Sequence, residues 1–360
     1  ISGIPIKLHI SFLIILPFLA WSFGNNIKLI ADMTNISTGA LTLNPYYLGL
    51  ILAIFLFISV ALHELAHSFV ARSQGININS ITLMLFGGLA QMDEISEDPK
   101  DEAWMAFAGP LFSLVFGFLL LGISSLFSRQ LIPDFHLIIV YLGQLNIFLG
   151  FFNLLPAFPS DGGRILRAFI ARKTTYLKAT KLASTVGKGF ALLFGIFGLI
   201  SGNFILLFIA LFIFIGASQE YQSNVLKNTL SDFKVSDLMT EEVSTINENL
   251  NVDALLDKMF NERHSGYPVI DNEGNLTGCV TMEDVQSIKN KKQAEVRIKD
   301  IMTEDIMKVS PDDNIYQALR KLSHAEIGRL MVMEGKQLVG IITRSDIMKG
   351  YRLGQLKNDR

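Results

Sequence analysis

The sequence predicts a polytopic α-helical membrane protein of about six transmembrane helices, followed by a cytoplasmic α/β domain. Half of the 360 residues are hydrophobic, which is too apolar for a purely soluble chain of this length. The apolar blocks extend to about residue 222, and beyond them the sequence becomes charged and alternating. We therefore expect a membrane domain over 1–222, a linker over 223–232, and two repeated units over 233–290 and 291–353.

The net charge and the cysteine content limit the class of protein. The formal net charge is −2, so nothing indicates a nucleic-acid partner. Cys279 is the single cysteine, which excludes an intrachain disulfide framework and a multi-cysteine metal site.

Six stretches are long and apolar enough to cross a bilayer. They are residues 7–24, 46–71, 103–127, 135–153, 182–200 and 204–221, with a tight turn at Ser201–Asn203 between the last two. Basic residues concentrate between the fourth and fifth stretches, which predicts that this segment and both termini are cytoplasmic. The basic residues are Arg164, Arg167, Arg172, Lys173, Lys178, Lys181 and Lys188. The acidic run at 93–102 is expected to be a solvated loop.

The second apolar stretch contains "HELAH", residues 63 to 67, near its end. On a helix, His63 and His67 share one face and can reach one metal ion, while Glu64 is placed to take a proton from a metal-bound water. Two buried, hydrogen-bonded histidines would be the simpler interpretation. Within a membrane span, however, ionisable residues are functional by default.

A catalytic zinc takes three protein ligands and one open position, so a third ligand is needed. The candidate is Asp161 in "FFNLLPAFPSDGGRILRA", where Pro156 and Pro159 interrupt an apolar helix. Such a cluster is by itself most often a turn. Interrupted helices at membrane depth are tolerated where they line a cavity, and next to the histidine motif Asp161 becomes the leading candidate.

Together, these motifs resemble the site-2 protease family of intramembrane zinc metalloproteases. The family pattern N-x-x-P-x-x-x-x-D-G falls on Asn153, Pro156, Asp161 and Gly162, and "FAGPLFSL" at 107–114 resembles the family's Gly-Pro element. The resemblance implies one zinc ion held by His63, His67 and Asp161. It also implies Glu64 as general base, Asn153 as a residue that orients substrate or the oxyanion, and a transmembrane protein as substrate.

Residues 79–92, "NSITLMLFGGLAQM", favour a strand and contain Gly87 and Gly88 at a break. We expect either a surface loop or a membrane-associated β-hairpin near the zinc. The resembled family has such a hairpin, and a strand edge there could bind an unwound substrate by β-augmentation.

The C-terminal part contains an internal repeat. "KVSDLMTEEVSTI" at Lys234 recurs as "RIKDIMTEDIMKV" at Arg297, and each unit reads as strand, helix, strand, strand, helix. This resembles a pair of CBS domains. The resemblance implies binding of ATP, ADP or AMP through Thr343, Ser345 and Asp346 in the second unit. In the first unit the matching residues are Thr281 and Asp284, but Glu283 replaces the serine. A carboxylate near phosphate is unfavourable, so we expect the second unit to offer the better site. The alternative is a dimerisation platform that binds no ligand, with each Asp serving only as a helix cap.

Two further functions compete with a nucleotide-regulated intramembrane protease. One is a CBS-regulated channel or ion transporter, in which the histidine pair and Asp161 would form a permeation site. A pore has no need of Glu64 between two ligands, which counts against it. A catalytically dead relative is disfavoured by the intact set of His63, Glu64, His67 and Asp161.

Overall fold

The computed structural model describes residues 4–84, 87–92, 97–126, 132–288 and 295–358. The chain divides into two compact units, Ile1–Gln222 and Ser223–Arg360. Each unit is described by itself below.

The first unit is helical, and helices are numbered along the whole chain. They are α1 (Ile10–Asn25), α2 (Ile27–Met33), α3 (Pro45–Ser73), α4 (Pro99–Ser125), α5 (Pro133–Asn153), α6 (Asp161–Ala171), α7 (Tyr176–Ser201) and α8 (Phe204–Leu230). By length and composition, α3, α4, α5, α7 and α8 could each cross a membrane, and the pair α1–α2, bent by 67°, would make a sixth span among the described residues. The predicted polytopic fold is confirmed.

The helix boundaries follow from local sequence signals. Proline occupies the first position of α3, α4 and α5, where its missing N–H costs nothing. The Asn44 and Asp98 side chains accept hydrogen bonds from the first turns of α3 and α4. At the other end of the domain, Gly202 adopts φ 66° and closes the tight turn between α7 and α8 that "SGN" predicts. Since α8 continues to Leu230, residues 223–230 of the expected linker are helical.

A three-stranded sheet accompanies the membrane helices. Its strands are β1 (Ile6–Leu8), β2 (Ile78–Met84) and β3 (Gly87–Met92). β2 is central, because it pairs in parallel with β1 and antiparallel with β3. The hairpin expected within residues 79–92 is therefore present. The pairing with β1 was not expected, since the sequence placed residues 7–24 in a single span.

The outward surfaces of the long helices are apolar. Phenylalanines on four of them expose more than half of their surface: Phe118, Phe148, Phe197 and Phe208. This arrangement suits helices solvated by lipid, in which the polar side chains turn inward.

The second unit contains the predicted repeat. Its elements after α8 are β4 (Ile246–Asn247), α9 (Val252–Glu262), β5 (Gly266–Ile270), β6 (Leu276–Thr281), α10 (Met282–Gln286), β7 (Lys308–Val309), α11 (Ile315–His324), β8 (Arg329–Glu334), β9 (Gln337–Thr343) and α12 (Arg344–Asn358). They form two separate sheets of the same order, β4-β5-β6 and β7-β8-β9. The strand–helix–strand–strand–helix pattern expected for each repeat is confirmed.

The two repeats exchange their leading segments. Val235 lies in the core of the second repeat, and Ile298 lies in the core of the first. Backbone bridges join Thr240 to Ile341 and Thr303 to Cys279, so each leading segment pairs with the last strand of the other repeat. Neither repeat has a complete core of its own, and the two form one module.

Candidate metal centre

His63 and His67 lie near the C-terminal end of α3 and are almost fully buried. Their spacing of four residues places both rings on one side of the helix. The two Nε2 atoms are 3.2 Å apart. The histidine pair therefore has the arrangement that the sequence predicts.

Asp161 reaches the histidines from a break between two helices. α5 ends at Asn153, residues 154–160 are not helical, and α6 begins at Asp161. The break requires the two glycines that follow: a Cβ atom at Gly162 would collide with the carbonyl groups of Leu154 and Leu155, and one at Gly163 would lie 2.6 Å from the amide nitrogen of Phe158. The close return of α6 onto the preceding loop thus sets the position of Asp161.

The three donor atoms fit a single metal ion. Oδ2 of Asp161 is 3.3 Å from Nε2 of His63 and 3.3 Å from Nε2 of His67. Tetrahedral ligands at zinc bond lengths of about 2.0–2.1 Å lie roughly 3.3 Å apart. Among the described residues, this is the group of three potential ligands close enough together to hold an ion. Two neutral imidazoles and a carboxylate are also a donor set that zinc accepts.

Helix α4 orients both imidazole rings. The Nδ1–H of His67 donates to the carbonyl oxygen of Met105 at 2.6 Å, and Nδ1 of His63 lies 2.9 Å from the hydroxyl oxygen of Ser113, which is fully buried. Since a carbonyl can only accept, His67 carries its proton on Nδ1 and directs the lone pair of Nε2 toward the metal position.

Gly109 lets α4 approach the histidines. A Cβ atom at this position would lie 2.6 Å from Nε2 of His63 and closer still to Nε2 of His67. Any side chain would therefore enter the space between the donor atoms. This requirement explains the glycine of "FAGPLFSL" in physical terms.

Glu64 faces the β-hairpin on a different side of α3 from the histidines. A Cβ atom at Gly88 of β3 would lie 2.9 Å from Cδ of Glu64 and closer still to Cγ. The backbone of β3 is thus in contact with the predicted general base. Because Gly88 has no side chain, the carboxyl group of Glu64 fits beneath the strand.

Asn153 occupies the last turn of α5. Its Nδ2 donates to the carbonyl oxygen of Leu149 at 3.0 Å, within its own helix. Among the described residues, it forms no hydrogen bond to the three donor residues. Its proposed role in orienting substrate stays a prediction.

The sequence reasoning missed a buried ionic cluster next to this centre. Glu102 was expected in a solvated loop, but it lies within α4 and is 1% exposed. The residues that share the cluster are Arg167 of α6 and Glu220 of α8. Arg167 was counted among the cytoplasmic charges, yet it is 3% exposed. The sequence signal for this cluster is the presence of acidic and basic residues within or next to apolar segments. Which of these residues pair with one another is decided only by the tertiary fold.

The candidate nucleotide residues form helix caps in both repeats. The Thr281 hydroxyl donates to Asp284 at 2.8 Å and the Thr343 hydroxyl to Asp346 at 2.6 Å. Asp346 also lies 3.5 Å from Nζ of Lys349. Ser345, the remaining candidate, follows at the start of α12. Both aspartates thus serve as helix caps, and a ligand would meet residues already fixed by their own hydrogen bonds.

A cavity of about 480 Å³ lies in the second unit beside the first of these caps. Thr281 and Asp284 line it, together with Glu283, Asp305, Glu326 and Arg329. Thr343, Ser345 and Asp346 do not belong to its lining. Burial raises the pKa of the Cys279 thiol, another lining group, so this sulfur stays neutral near pH 7.

Comparisons with known proteins agree with this architecture. The family model "Peptidase family M50" matches residues 51–133 and 133–194, and "CBS domain" matches 235–289 and 298–352. A zinc metalloprotease of Methanocaldococcus jannaschii is 38% identical over 100% of this chain and 96% of its own length. Rip3 of Mycobacterium tuberculosis is 31% identical over 99% of this chain and 93% of its own. A solved site-2 protease from Methanocaldococcus jannaschii is 40% identical, covering 61% of this chain and 92% of that chain with a TM-score of 0.44.

The chain belongs to peptidase family M50, the site-2 proteases, and carries a C-terminal pair of CBS domains. It is a multi-pass intramembrane zinc metalloprotease. The alternative function as a channel or transporter is not supported, because its membrane half matches a protease family.

Proposed function

We propose that this protease cleaves a transmembrane protein at a zinc site formed by His63, His67 and Asp161, with Glu64 as general base, under control of the CBS pair. The observation that carries the proposal is the convergence of three donor atoms from α3 and α6 to within about 3.3 Å of one another. His63 and His67 are buried near the C-terminal end of α3, a helix long and apolar enough to cross a membrane, and the side chain of Asp161 is 14% exposed.

Each residue has a defined part in the reaction. His63, His67 and Asp161 would hold the zinc ion, which would supply Lewis-acid polarisation of the scissile carbonyl and lower the pKa of water toward neutrality. Glu64 accepts the proton of the attacking water on its carboxylate and passes it to the nitrogen of the leaving amine. The carbonyl oxygen of Met105 holds His67 in the ligating tautomer, and the hydroxyl group of Ser113 is within hydrogen-bonding distance of Nδ1 of His63. Asn153 orients the substrate or the developing oxyanion.

The substrate segment is proposed to add as a strand to the sheet beside Glu64. A helix hides its peptide bonds, so the substrate must unwind before it is cut. The inner edge of β3 pairs with β2, and the backbone of β3 at Gly88 contacts Glu64. A substrate paired with the outer edge of β3 would keep its backbone extended close to the general base.

The proposed topology places both termini and the CBS pair in the cytoplasm. The basic segment between α5 and α7 supports this orientation, since positive residues favour the cytoplasmic side. The proposed domain division is 1–222 for the protease, 223–232 for the connection, and 233–290 with 291–353 for the two CBS domains.

For regulation, we propose that an adenine nucleotide binds in the CBS cleft. Asp284 would accept hydrogen bonds from the ribose, and Arg329 would meet the phosphate in the cavity that both residues line. Thr343, Ser345 and Asp346, the site that the sequence favours, lie in the second repeat and outside the lining of this cavity. The four carboxylates of the cavity disfavour a highly charged ligand, so AMP should bind at least as well as ATP. We also propose that the CBS pair can mediate a homodimer.

The decisive experiment combines metal content with cleavage. Full-length protein in detergent should contain one zinc per chain and should cleave a panel of model transmembrane substrates, losing that activity with a chelator and regaining it with zinc. His63→Ala, His67→Ala and Asp161→Asn should each lower both the zinc content and the activity. Cleavage that persists without bound zinc would contradict the proposal.

A further inference from the structure

A buried ionic cluster ties α6 to its neighbours close to the metal centre. Nε of Arg167 donates to Oε1 of Glu102 on α4 at 2.7 Å, its Nη2 donates to the same oxygen, and its Nη1 donates to Glu220 on α8 at 2.5 Å. The guanidinium also lies 5.1 Å from the ring centre of Phe158 and 4.7 Å from that of Tyr176. Arg167 thus contacts α4, α7, α8 and the loop that leads into Asp161.

A contribution to folding stability does not by itself explain why Arg167, Glu102 and Glu220 form a buried ionic cluster. Transferring two charges out of water costs several kcal/mol per ion, and apolar residues of similar volume often serve stability equally well. An arginine also supplies a defined geometry, because the fixed N–H donors of its guanidinium group bind a carboxylate in few orientations. The question is which geometry Arg167 fixes.

Helix α4 provides the link to the metal centre. Glu102, Met105, Gly109 and Ser113 are spaced by three, four and four residues, so they lie along one face of α4. The last three contact the imidazoles of His63 and His67. The first holds Arg167. One stripe of α4 therefore contacts the histidine pair on α3 and, through Arg167, the helix that begins with Asp161.

Helix α6 is short, with only 11 residues, and its first residue is the proposed ligand. Arg167 follows Asp161 by six residues, or roughly 9 Å along the helix axis. A short helix moves as one body, so a slip at Arg167 displaces the Asp161 carboxylate by a similar distance. Metal ligation tolerates displacements of only about 0.5 Å.

We propose that Arg167 is a positioning residue of the metal centre: by holding α6 to Glu102 of α4, it sets the distance of the Asp161 carboxylate from His63 and His67. This inference rests on the proposed zinc ligation. Glu102 has the same task from the α4 side. Glu220, on α8 and with 29% of its side chain exposed, satisfies the remaining charge of Arg167 and does not set this distance.

The test measures metal binding by the full-length protein in detergent, with Zn²⁺ and Co²⁺ as the probes. Arg167→Gln and Glu102→Gln should weaken the zinc Kd by about 10–100-fold, the range for residues that orient ligands. The visible absorption of bound Co²⁺, which reports ligand geometry, should change as well. Glu220→Gln and Tyr176→Phe, matched controls in the same cluster, should keep the wild-type Co²⁺ spectrum and a zinc Kd within a factor of three.

Two further variants separate positioning from stability. Leu137→Ala opens a cavity in the hydrophobic cluster to which α5 contributes Leu137, away from α6. It should lower Tm and leave the zinc Kd unchanged. The pair Glu102→Leu with Arg167→Met removes both buried charges, so Tm should recover toward that of the wild type while the zinc Kd stays weak.

Three outcomes decide the matter. Wild-type zinc affinity in Arg167→Gln and Glu102→Gln overturns the inference, as does recovery of zinc affinity together with Tm in the apolar pair. If Arg167→Gln does not accumulate as folded protein, the zinc Kd and the Co²⁺ spectrum of Arg167→Lys and Glu102→Gln are compared with those of the wild type instead. Zinc binding that is unaffected by His67→Ala or Asp161→Asn would instead refute the ligand set itself, which is a different failure.

Discussion

Gly88 of β3 lies directly against Glu64 of α3, so close that a Cβ atom at Gly88 would be 2.9 Å from Cδ of the glutamate. We therefore expect Gly88→Ala to push the carboxyl group aside. A displacement of about 1 Å in a reacting group can cost roughly 100-fold in rate. The kcat of cleavage should fall by about that factor, while the zinc content stays at one per chain. An unchanged kcat would show that Glu64 has room to move without loss of function.

Glu64→Gln removes the proposed base and spares the three ligands. We expect proteolysis to be lost, with zinc still bound at wild-type stoichiometry. Metal analysis and single-turnover cleavage of a model substrate check both parts. Wild-type turnover in this variant would mean that another group takes the proton.

Gly109→Ala should abolish metal binding, because the added methyl group would occupy the space between the two Nε2 atoms. Gly122→Ala is the matched control on the same helix, since a Cβ atom there meets nothing within 4 Å. Zinc content by elemental analysis should drop in the first variant and stay normal in the second. If both variants bind zinc equally well, α4 does not approach the donor atoms as described.

Substrate pairing with β3 can be tested by proline, but not at Thr82. That residue lies in β2, which is paired on both sides, with Lys7 of β1 and Leu89 of β3, so a proline there would break the sheet itself. Leu85 lies outside the described residues.

A proline scan over residues 89–91 is sharper. Successive N–H groups of a strand point to opposite edges, so alternate prolines spare the pairing with β2 and block only the outer edge. Those variants should keep zinc and Tm but lose cleavage. Full cleavage by every such variant would argue against strand addition.

Nucleotide control can be tested with Asp284→Ala and Asp346→Ala. Each aspartate accepts the same capping hydrogen bonds from its threonine, so the stability losses should be similar, at about 1 kcal/mol. AMP, ADP and ATP are titrated against the full chain, with binding and cleavage followed together. We expect Asp284→Ala to lower nucleotide affinity by at least about tenfold, and nucleotide binding to change cleavage by a coupling of about 1–3 kcal/mol. Nucleotide binding that leaves cleavage unchanged would contradict regulation.

The same titration distinguishes the two repeats. Loss of nucleotide binding in Asp346→Ala, with binding retained in Asp284→Ala, would place the ligand at Thr343, Ser345 and Asp346. If no nucleotide binds and neither variant changes cleavage, the CBS pair is better explained as a dimerisation module. A dimer of the full chain in solution would then be expected.

Much of this protein follows from the sequence by itself. Apolar length predicts the spanning helices, because a bilayer forces the backbone to satisfy its hydrogen bonds within each helix. The spacing of His63 and His67 predicts a shared face, since the helical repeat is fixed. The break before α6 is predicted by Pro156, Pro159 and the glycines after Asp161. The prolines restrict the backbone locally, and the glycines allow it conformations closed to other residues. The repeat that begins at Lys234 and Arg297 predicts two equivalent α/β units.

Only the tertiary structure decided which distant groups meet. Three contacts depend on helix rotation and register, which no local pattern encodes. They are the approach of Gly109 to the imidazoles, the position of Gly88 over Glu64, and the ion pair of Glu102 with Arg167. The exchange of Val235 and Ile298 between the repeats is equally non-local, because each segment enters a core formed by residues far along the chain. Local sequence sets backbone conformation and polarity, whereas these contacts depend on how whole elements pack together.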